Sequence, residues 1–289
     1  ESDGRSVAAL HGTPGLKSPL ATPGNGPIRG MKVMGSLMYV VSGTELYSVT
    51  TGGTATLIDT IAGTNRVSME VNGATTQELA IVNGSVGYIY DTTNGLQSIT
   101  DAYFLTPDVV DCMSVYFIFN NTGTDAFFCS NIDTTDGNAL LYTATDIGSV
   151  GTRPGNLISL IVDHEEVWLF KSDTTEIWVK KSSPGATFPF EKIPSAIIET
   201  GCGAVHSPAK IDNTVFWLGE DLMIYKADGY NSQRISTHAM EYAIKGYSTT
   251  SDAFSFEYTD EGHKFYVLTF PSGGTWVYDV STDSWHERK

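Results

Sequence analysis

Bases are scarce in this chain: 17 Lys and Arg stand against 33 Asp and Glu in 289 residues, a formal charge of −16. Nucleic-acid binding normally rests on a basic face that neutralises phosphates. Extensive or sequence-specific DNA contact by this chain is therefore not expected; such acidity keeps a large surface soluble or meets a basic partner. Cysteine is scarcer still. Cys112, Cys129 and Cys202 form an odd set without metal-ligand spacing. They predict buried free thiols in a reducing compartment, unless Cys112 and Cys129 fall on neighbouring strands and pair. No apolar run approaches the ~18 residues of a membrane span. The opening "ESDGRSVAAL" has neither an initiator Met nor an apolar signal core, as expected of a processed chain or of a piece of a longer one.

Catalytic signatures are missing too. There is no Gly-x-Ser-x-Gly elbow and no Gly-x-x-x-x-Gly-Lys phosphate cradle. Acids occur at "DHEE" (Asp163 to Glu166) and "GED" (Gly219 to Asp221), but at turns, where solvation explains them better than glycoside cleavage. "DTTDGN" (Asp133 to Asn138) lacks the alternating acids and closing Glu of a calcium loop. His206 near Cys202 is the nearest approach to a nucleophile–base pair, and it reads as part of a packed strand-leading segment. "SGGTW" (Ser272 to Trp276) is the one echo of a sialidase-type box and has no Asp. The sequence thus predicts no catalytic, cofactor or metal site: not an enzyme.

What is abundant is turn chemistry and short apolar strands. With 29 Gly and 41% hydrophobic residues, the chain carries one phrase six times over. Strand–turn–strand hairpins appear as "SLMYVVSGTELYSVT", "QELAIVNGSVGYIYD", "SVYFIFNNTGTDAFFCS", "EVWLFKSDTTEIWVKK", "TVFWLGEDLMIYKAD" and "KFYVLTFPSGGTWVYD". Unit starts near Met31, Arg66, Val109, Asn156, Gly203 and Phe254 are 35, 43, 47, 47 and 51 residues apart. That spacing suits four-stranded blades of a β-propeller, which bury both faces only by stacking around an axis. The expectation is an all-β, six-bladed propeller over 1–289, with blades at 28–62, 66–101, 109–147, 156–198, 203–238 and 254–289. The last unit reads as three strands, so Ser6 to Gly12 is expected to supply its fourth and close the ring. Ser236 to Ser248 breaks the pattern: Ala239, Met240, Ala243 and Ile244 at helical spacing, after a Ser236 or Thr237 cap, predict one short helix between blades five and six.

Aromatics fall mainly on strands. Trp168/Trp178, Phe216/Trp217 and Tyr266/Trp276 read as core, and Trp285 in "VYDVSTDSWHE" as filling between blades. One connection is too apolar for a free loop. "SSPGATFPFEKIPSAIIE" (Ser182 to Glu199) sets Phe188, Pro189 and Phe190 either to tuck under the blade or to anchor a protein partner.

The stretch Gly201 to Tyr247, with Gly201-Cys202-Gly203, "DNTVFWLG" and "GYNSQRISTHAMEYAI", resembles the packaged-DNA stabilisation (tail-hub) proteins of short-tailed bacteriophages. "LHGTPGL" (Leu10 to Leu16), "LYSVTTGGTATLIDTIAGTNRVSMEVNG" and "VNGSVGYIYD" sit in the family's order. The resemblance implies a structural virion protein, made in the host cytoplasm and placed in the tail. Copies would form a homo-oligomeric ring below the portal and its adaptor, help retain packaged DNA, and carry the tailspike and tail needle. Full-length members continue into a further β-rich region, which this chain is expected to lack. The competing reading is a glycan-binding or glycan-cleaving propeller at a bacterial surface; a third is a kelch-like adaptor.

Overall fold

Runs of β-branched and aromatic residues broken by Gly-, Asn- and Asp-bearing turns fold as antiparallel hairpins. The computed structural model describes residues 18–130, 139–182 and 188–288, and there it contains six four-stranded sheets, each an up-and-down blade. Blade one is β1 (Ile28–Met34), β2 (Leu37–Ser42), β3 (Glu45–Val49) and β4 (Ala55–Thr60). Blade two is β5 (Ser68–Val71), β6 (Leu79–Val82), β7 (Gly87–Asp91) and β8 (Gly95–Ser98). Blade three holds β9 (Val110–Met113), β10 (Tyr116–Asn120), β11 (Ala126–Cys129) and β12 (Ile147–Ser149). Blade four holds β13 (Ser159–Asp163), β14 (Glu166–Phe170), β15 (Thr175–Lys180) and β16 (Phe190–Ile198). Blade five is β17 (Ala209–Ile211), β18 (Thr214–Leu218), β19 (Ile224–Asp228) and β20 (Asn231–Arg234). After α1 (His238–Lys245) comes blade six: β21 (Phe254–Asp260), β22 (His263–Thr269), β23 (Thr275–Asp279) and β24 (Ser284–Arg288).

The chain is a six-bladed β-propeller, with one short helix among the described residues, and its apolar runs are explained by burial on both blade faces. Along β18, Val215 and Trp217 enter the cluster shared with blade four, beside Trp168 and Phe170. Phe216 and Leu218 enter the cluster shared with blade six, beside Tyr266 and Leu268. Successive side chains on a strand point to opposite faces, so an unbroken apolar run is what a central blade strand needs. Phe216 stacks on Tyr266 at 5.3 Å and Trp217 on Tyr225 at 5.8 Å. Trp285 stands against Tyr278 and donates from Nε1 to the Ile235 carbonyl of the preceding blade at 2.8 Å, filling the space expected of it.

Gly201-Cys202-Gly203 stitches blade four to blade five. Cys202 N donates to Lys171 O at 2.8 Å, Gly203 N to Leu218 O at 2.9 Å, and Trp217 Nε1 to Gly201 O at 3.0 Å. A Cβ on Gly201 would lie 2.2 Å from Lys171 O, so the approach of these backbones excludes any side chain. The helix is capped by Thr237, whose side chain accepts from Met240 N, and buries Met240 and Ile244 against blades five and six. Its buried Glu241 accepts from Arg234 at 2.7 Å and from Ser236 Oγ at 2.6 Å, which pins the helix to β20.

One expectation changes and one alternative falls. The last blade does not need a borrowed strand, because Ser284–Arg288 pairs with β23 over five residues and completes the four within 254–288. Ser6 to Gly12 lies outside the described residues. Cys112 and Cys129 do not lie on adjacent strands: β10 runs between them, with Phe117 opposite Cys112 and Ile118 opposite Cys129. Consecutive residues on β10 face opposite sides, which sends the two thiols to opposite faces. Both are free, as is Cys202.

Candidate functional site

The innermost strands β1, β5, β9, β13, β17 and β21 surround the propeller axis, and their polar residues meet there. Lys32 Nζ lies 2.6 Å from Glu70 Oε2. Asp111 is 6% exposed; its Oδ2 accepts from Val162 N of blade four at 2.7 Å and from Lys210 Nζ of blade five at 3.2 Å. Lys210 thus reaches past blade four to blade three. Nearby, the Arg66 guanidinium, just ahead of β5, sits 3.5 Å over the Phe254 ring of blade six. Side chains from non-adjacent blades therefore span the axis.

Burial and the neighbouring Asp111 raise the Glu70 pKa, against the pull of Lys32. For Lys210 burial acts downward, but Asp111 and Glu70 outweigh it and raise the pKa. His206, near Arg66, is driven down to about 4 by burial and by that guanidinium, so it is neutral at pH 7.

A raised carboxyl pKa means that the native state holds the Glu70 proton more tightly than the unfolded chain does. The stability it confers is complete below the unfolded pKa and is lost as pH rises through the folded one. Glu70→Gln, always neutral, should therefore gain on the wild type as pH rises. Urea unfolding at pH 4 and pH 8 checks this: the variant's stability relative to wild type should be more favourable at pH 8. Losing the Lys32 partner subtracts less than about 1 kcal/mol, because that pair is partly solvated.

The residues singled out in the sequence are dispersed. Asp163 and Glu166 flank a two-residue turn whose His164 and Glu165 take positive φ (48° and 62°), the primed geometry that matches strand twist. Glu166 accepts from Tyr230 OH at 2.5 Å, and Asp163 pairs with His164 at 2.8 Å. Asp221 accepts from Met223 N and from Tyr225 OH, closing its own turn. Cys202 Sγ meets Ala204 O and Ser207 Oγ, and burial pushes its thiol up to about 11, far from a nucleophilic thiolate. Asp133 to Asn138 lies outside the described residues. Among the described residues no group of three or more His, Cys, Asp or Glu could hold a metal, and no helix is long and apolar enough to cross a membrane.

Phe190 is buried at 1% exposure, and Phe188 packs edge-on against Phe127 at 5.4 Å and Trp178 at 6.4 Å. The rings tuck against blades three and four; Phe188 and Pro189 keep partial exposure. A cleft of about 260 Å³ between blades one and two is lined by Thr44, Asp59, Ile61, Tyr88, Leu96 and Ser98 among others. It holds a single carboxylate, where glycoside hydrolysis ordinarily takes a pair. The axial residues Asp111 and Lys210 were not foreseen. They stand 99 residues apart in sequence, with no local spacing to mark them.

Comparison with solved structures supports the fold. A computationally designed protein, Ika8, aligns at TM-score 0.54 and 12% identity over 92% of this chain and 75% of its own. A Bacteroides fragilis protein provisionally assigned as a 6-phosphogluconolactonase aligns at 0.56 and 10% identity, over 90% and 79%. PorZ, a surface component of the type-IX secretion system of Porphyromonas gingivalis, aligns at 0.50 and 12% over 89% of this chain, which spans 33% of PorZ. At such identities the likeness concerns architecture alone. A comparison with curated protein sequences gives no match. The family model described as "Bacteriophage P22 Gp10, beta-propeller" matches residues 4–288. The chain therefore belongs to that family of phage packaged-DNA stabilisation propellers, a family of structural virion proteins.

Proposed function

We propose that this propeller is a module of the phage tail hub, assembling with further copies below the portal and its adaptor. There it helps retain the packaged genome and offers its rim to the tailspike and tail needle. The observation that carries this reading is the family match over 4–288. Two features of the chain agree with it. The charge of −16 suits a wall past which DNA slides without sticking. Side chains that span the axis, Lys210 to Asp111 and Arg66 to Phe254, suit a DNA path between copies rather than along one propeller's own axis.

The decisive experiment disrupts the gene in its parent phage. DNA-filled heads should form and then leak their genome, and supplying the intact protein should restore retention. The purified chain should show no salt-dependent DNA affinity at about 150 mM salt. Heads that keep their DNA without the protein, or turnover of bacterial surface polysaccharide by the purified chain, would overturn the reading.

A further inference from the structure

Where the inner strands converge on the axis, one cation stands without an anion. Arg66, just ahead of β5, lays its guanidinium over the Phe254 ring at 3.5 Å. Among the described residues no carboxylate, carbonyl or hydroxyl accepts a hydrogen bond from it. Other arginines are engaged: Arg29 with four carbonyls, Arg153 with Asp173 and Glu199, Arg234 with Glu241. Burial lowers the Arg66 pKa, and no acid offsets it.

The distance fixes the orientation. An edge-on guanidinium with its carbon 3.5 Å from the ring centre would press nitrogen inside van der Waals contact, so the group lies face-on. Its five N–H donors then lie in its own plane, and stacking uses none of them. A partly buried charge with idle donors is unfavourable unless something accepts from them.

His206 belongs to the same place. It forms a parallel bridge with Phe254, and its carbonyl accepts from Ser255 N at 2.9 Å. Its imidazole has no hydrogen-bond partner among the described residues, and Arg66 is the one charge acting on it there. Neither group is sealed, since both residues keep partial exposure. The connection ahead of blade two, the one ahead of blade five and the first strand of blade six thus bring two unpartnered nitrogen groups to one ring. The total charge is −16, but at about 150 mM salt charges beyond roughly 8 Å are screened, so the local sign governs a small ion.

We propose that Arg66 and His206 form a binding site for a small tetrahedral oxyanion of the phosphate and sulfate class, at this mouth of the axial channel. The guanidinium fork matches two oxygens of such an ion side by side. The imidazole, held by a different blade, meets a third oxygen, which a flat carboxylate lacks. A phosphate of a nucleic-acid strand offers the same oxygens, but the side chains that span the axis leave a strand no path, so the occupant is a free ion. An anion beside the imidazole favours its protonated form, so the ion brings a proton with it. The assignment is independent of the tail-hub reading, because it uses this chain's own axis and no partner.

Calorimetric titration of the 289-residue chain with sodium sulfate, against sodium chloride at matched ionic strength, tests this. Sulfate remains a dianion throughout the range in which histidine titrates. The wild type should saturate with a Kd on the order of 1 mM at about pH 7.5 and tighten several-fold at about pH 5.5. Heats in two buffers of different ionisation enthalpy should show proton uptake. His206→Gln should bind more weakly and lose both the tightening and the uptake. Arg66→Met, which keeps a side chain over the Phe254 ring, should bind about tenfold or more weakly. If Arg66→Met does not fold, the His206→Gln result decides by itself. No saturable heat from the wild type, or unchanged affinity in Arg66→Met, overturns the site. So does tightening at low pH that survives in His206→Gln. A single-stranded oligonucleotide should leave sulfate affinity unchanged; competition at matched phosphate would place nucleic acid there and overturn the free ion.

Discussion

Arg29→Met is expected to cost about 4 kcal/mol, more than any surface substitution in this chain. Arg29 is 3% exposed and has four backbone carbonyls as acceptors. Its Nε donates to Asn65 O at 2.6 Å, one terminal nitrogen to Gly43 O at 2.8 Å and Ile61 O at 3.3 Å, and the other to Ala62 O at 3.1 Å. Those carbonyls belong to the β2–β3 turn of blade one and to the connection between blades one and two, so one side chain sets the angle between the blades. Removing it relieves the cost of burying a cation, but it leaves several carbonyls without donors at about 1–3 kcal/mol each, and the second effect wins. Among the described residues Ala62 O keeps another donor, Asn83 Nδ2 at 2.8 Å. Arg29→Lys should lose somewhat less, because an ammonium cannot reproduce a planar fork reaching four acceptors. Thermal unfolding should show Met lowering the midpoint by roughly 10 °C and Lys by less. A shift within about 2 °C for Met would show that water replaces the guanidinium and would sink the argument.

The fold was legible because each blade repeats a local rule. The six hairpin phrases carry both their strands and their turns within about fifteen residues, and burial on both faces explains why "VFWL" is apolar throughout rather than alternating. The cap and buried stripe of α1 were likewise local, with Thr237, Met240 and Ile244 within one helix. Gly201-Cys202-Gly203 was visible as a motif, but its reason, a backbone crossing against Lys171 and Leu218, was not. The last blade misled because "STDSWHERK" looks like a turn and a tail. Its Trp285 and His286 are strand residues paired with Tyr278 and Val277. Arg29 and Asp111 were invisible for a different reason. Their partners lie up to 36 and 99 residues away and include backbone atoms, which no residue pattern records.

Asp111→Ala is expected to cost about 3 kcal/mol, and the reason lies with an amide rather than with the ion pair. The carboxylate joins three blades: it sits on β9, accepts from Val162 N on β13, and receives Lys210 from β17. Lys210 keeps 41% of its side chain exposed, so the pair is partly solvated and worth less than about 1 kcal/mol. Val162 N–H is buried, and it loses a charged acceptor at 2.7 Å, which places the larger loss there. Asp111→Asn keeps an acceptor oxygen in the same place, and it relieves the like charge that helps to raise Glu70. It should therefore cost about 1 kcal/mol, and Lys210→Met less than that. Denaturant unfolding of the three variants orders them as Ala, then Asn, then Lys210→Met, and added salt should reduce each cost by about the same small amount, since all three lose the one partly solvated pair that salt screens. If Lys210→Met cost as much as Asp111→Ala, the axial ion pair would be the strut of the ring, and the charges around the axis would hold the blades in place by themselves.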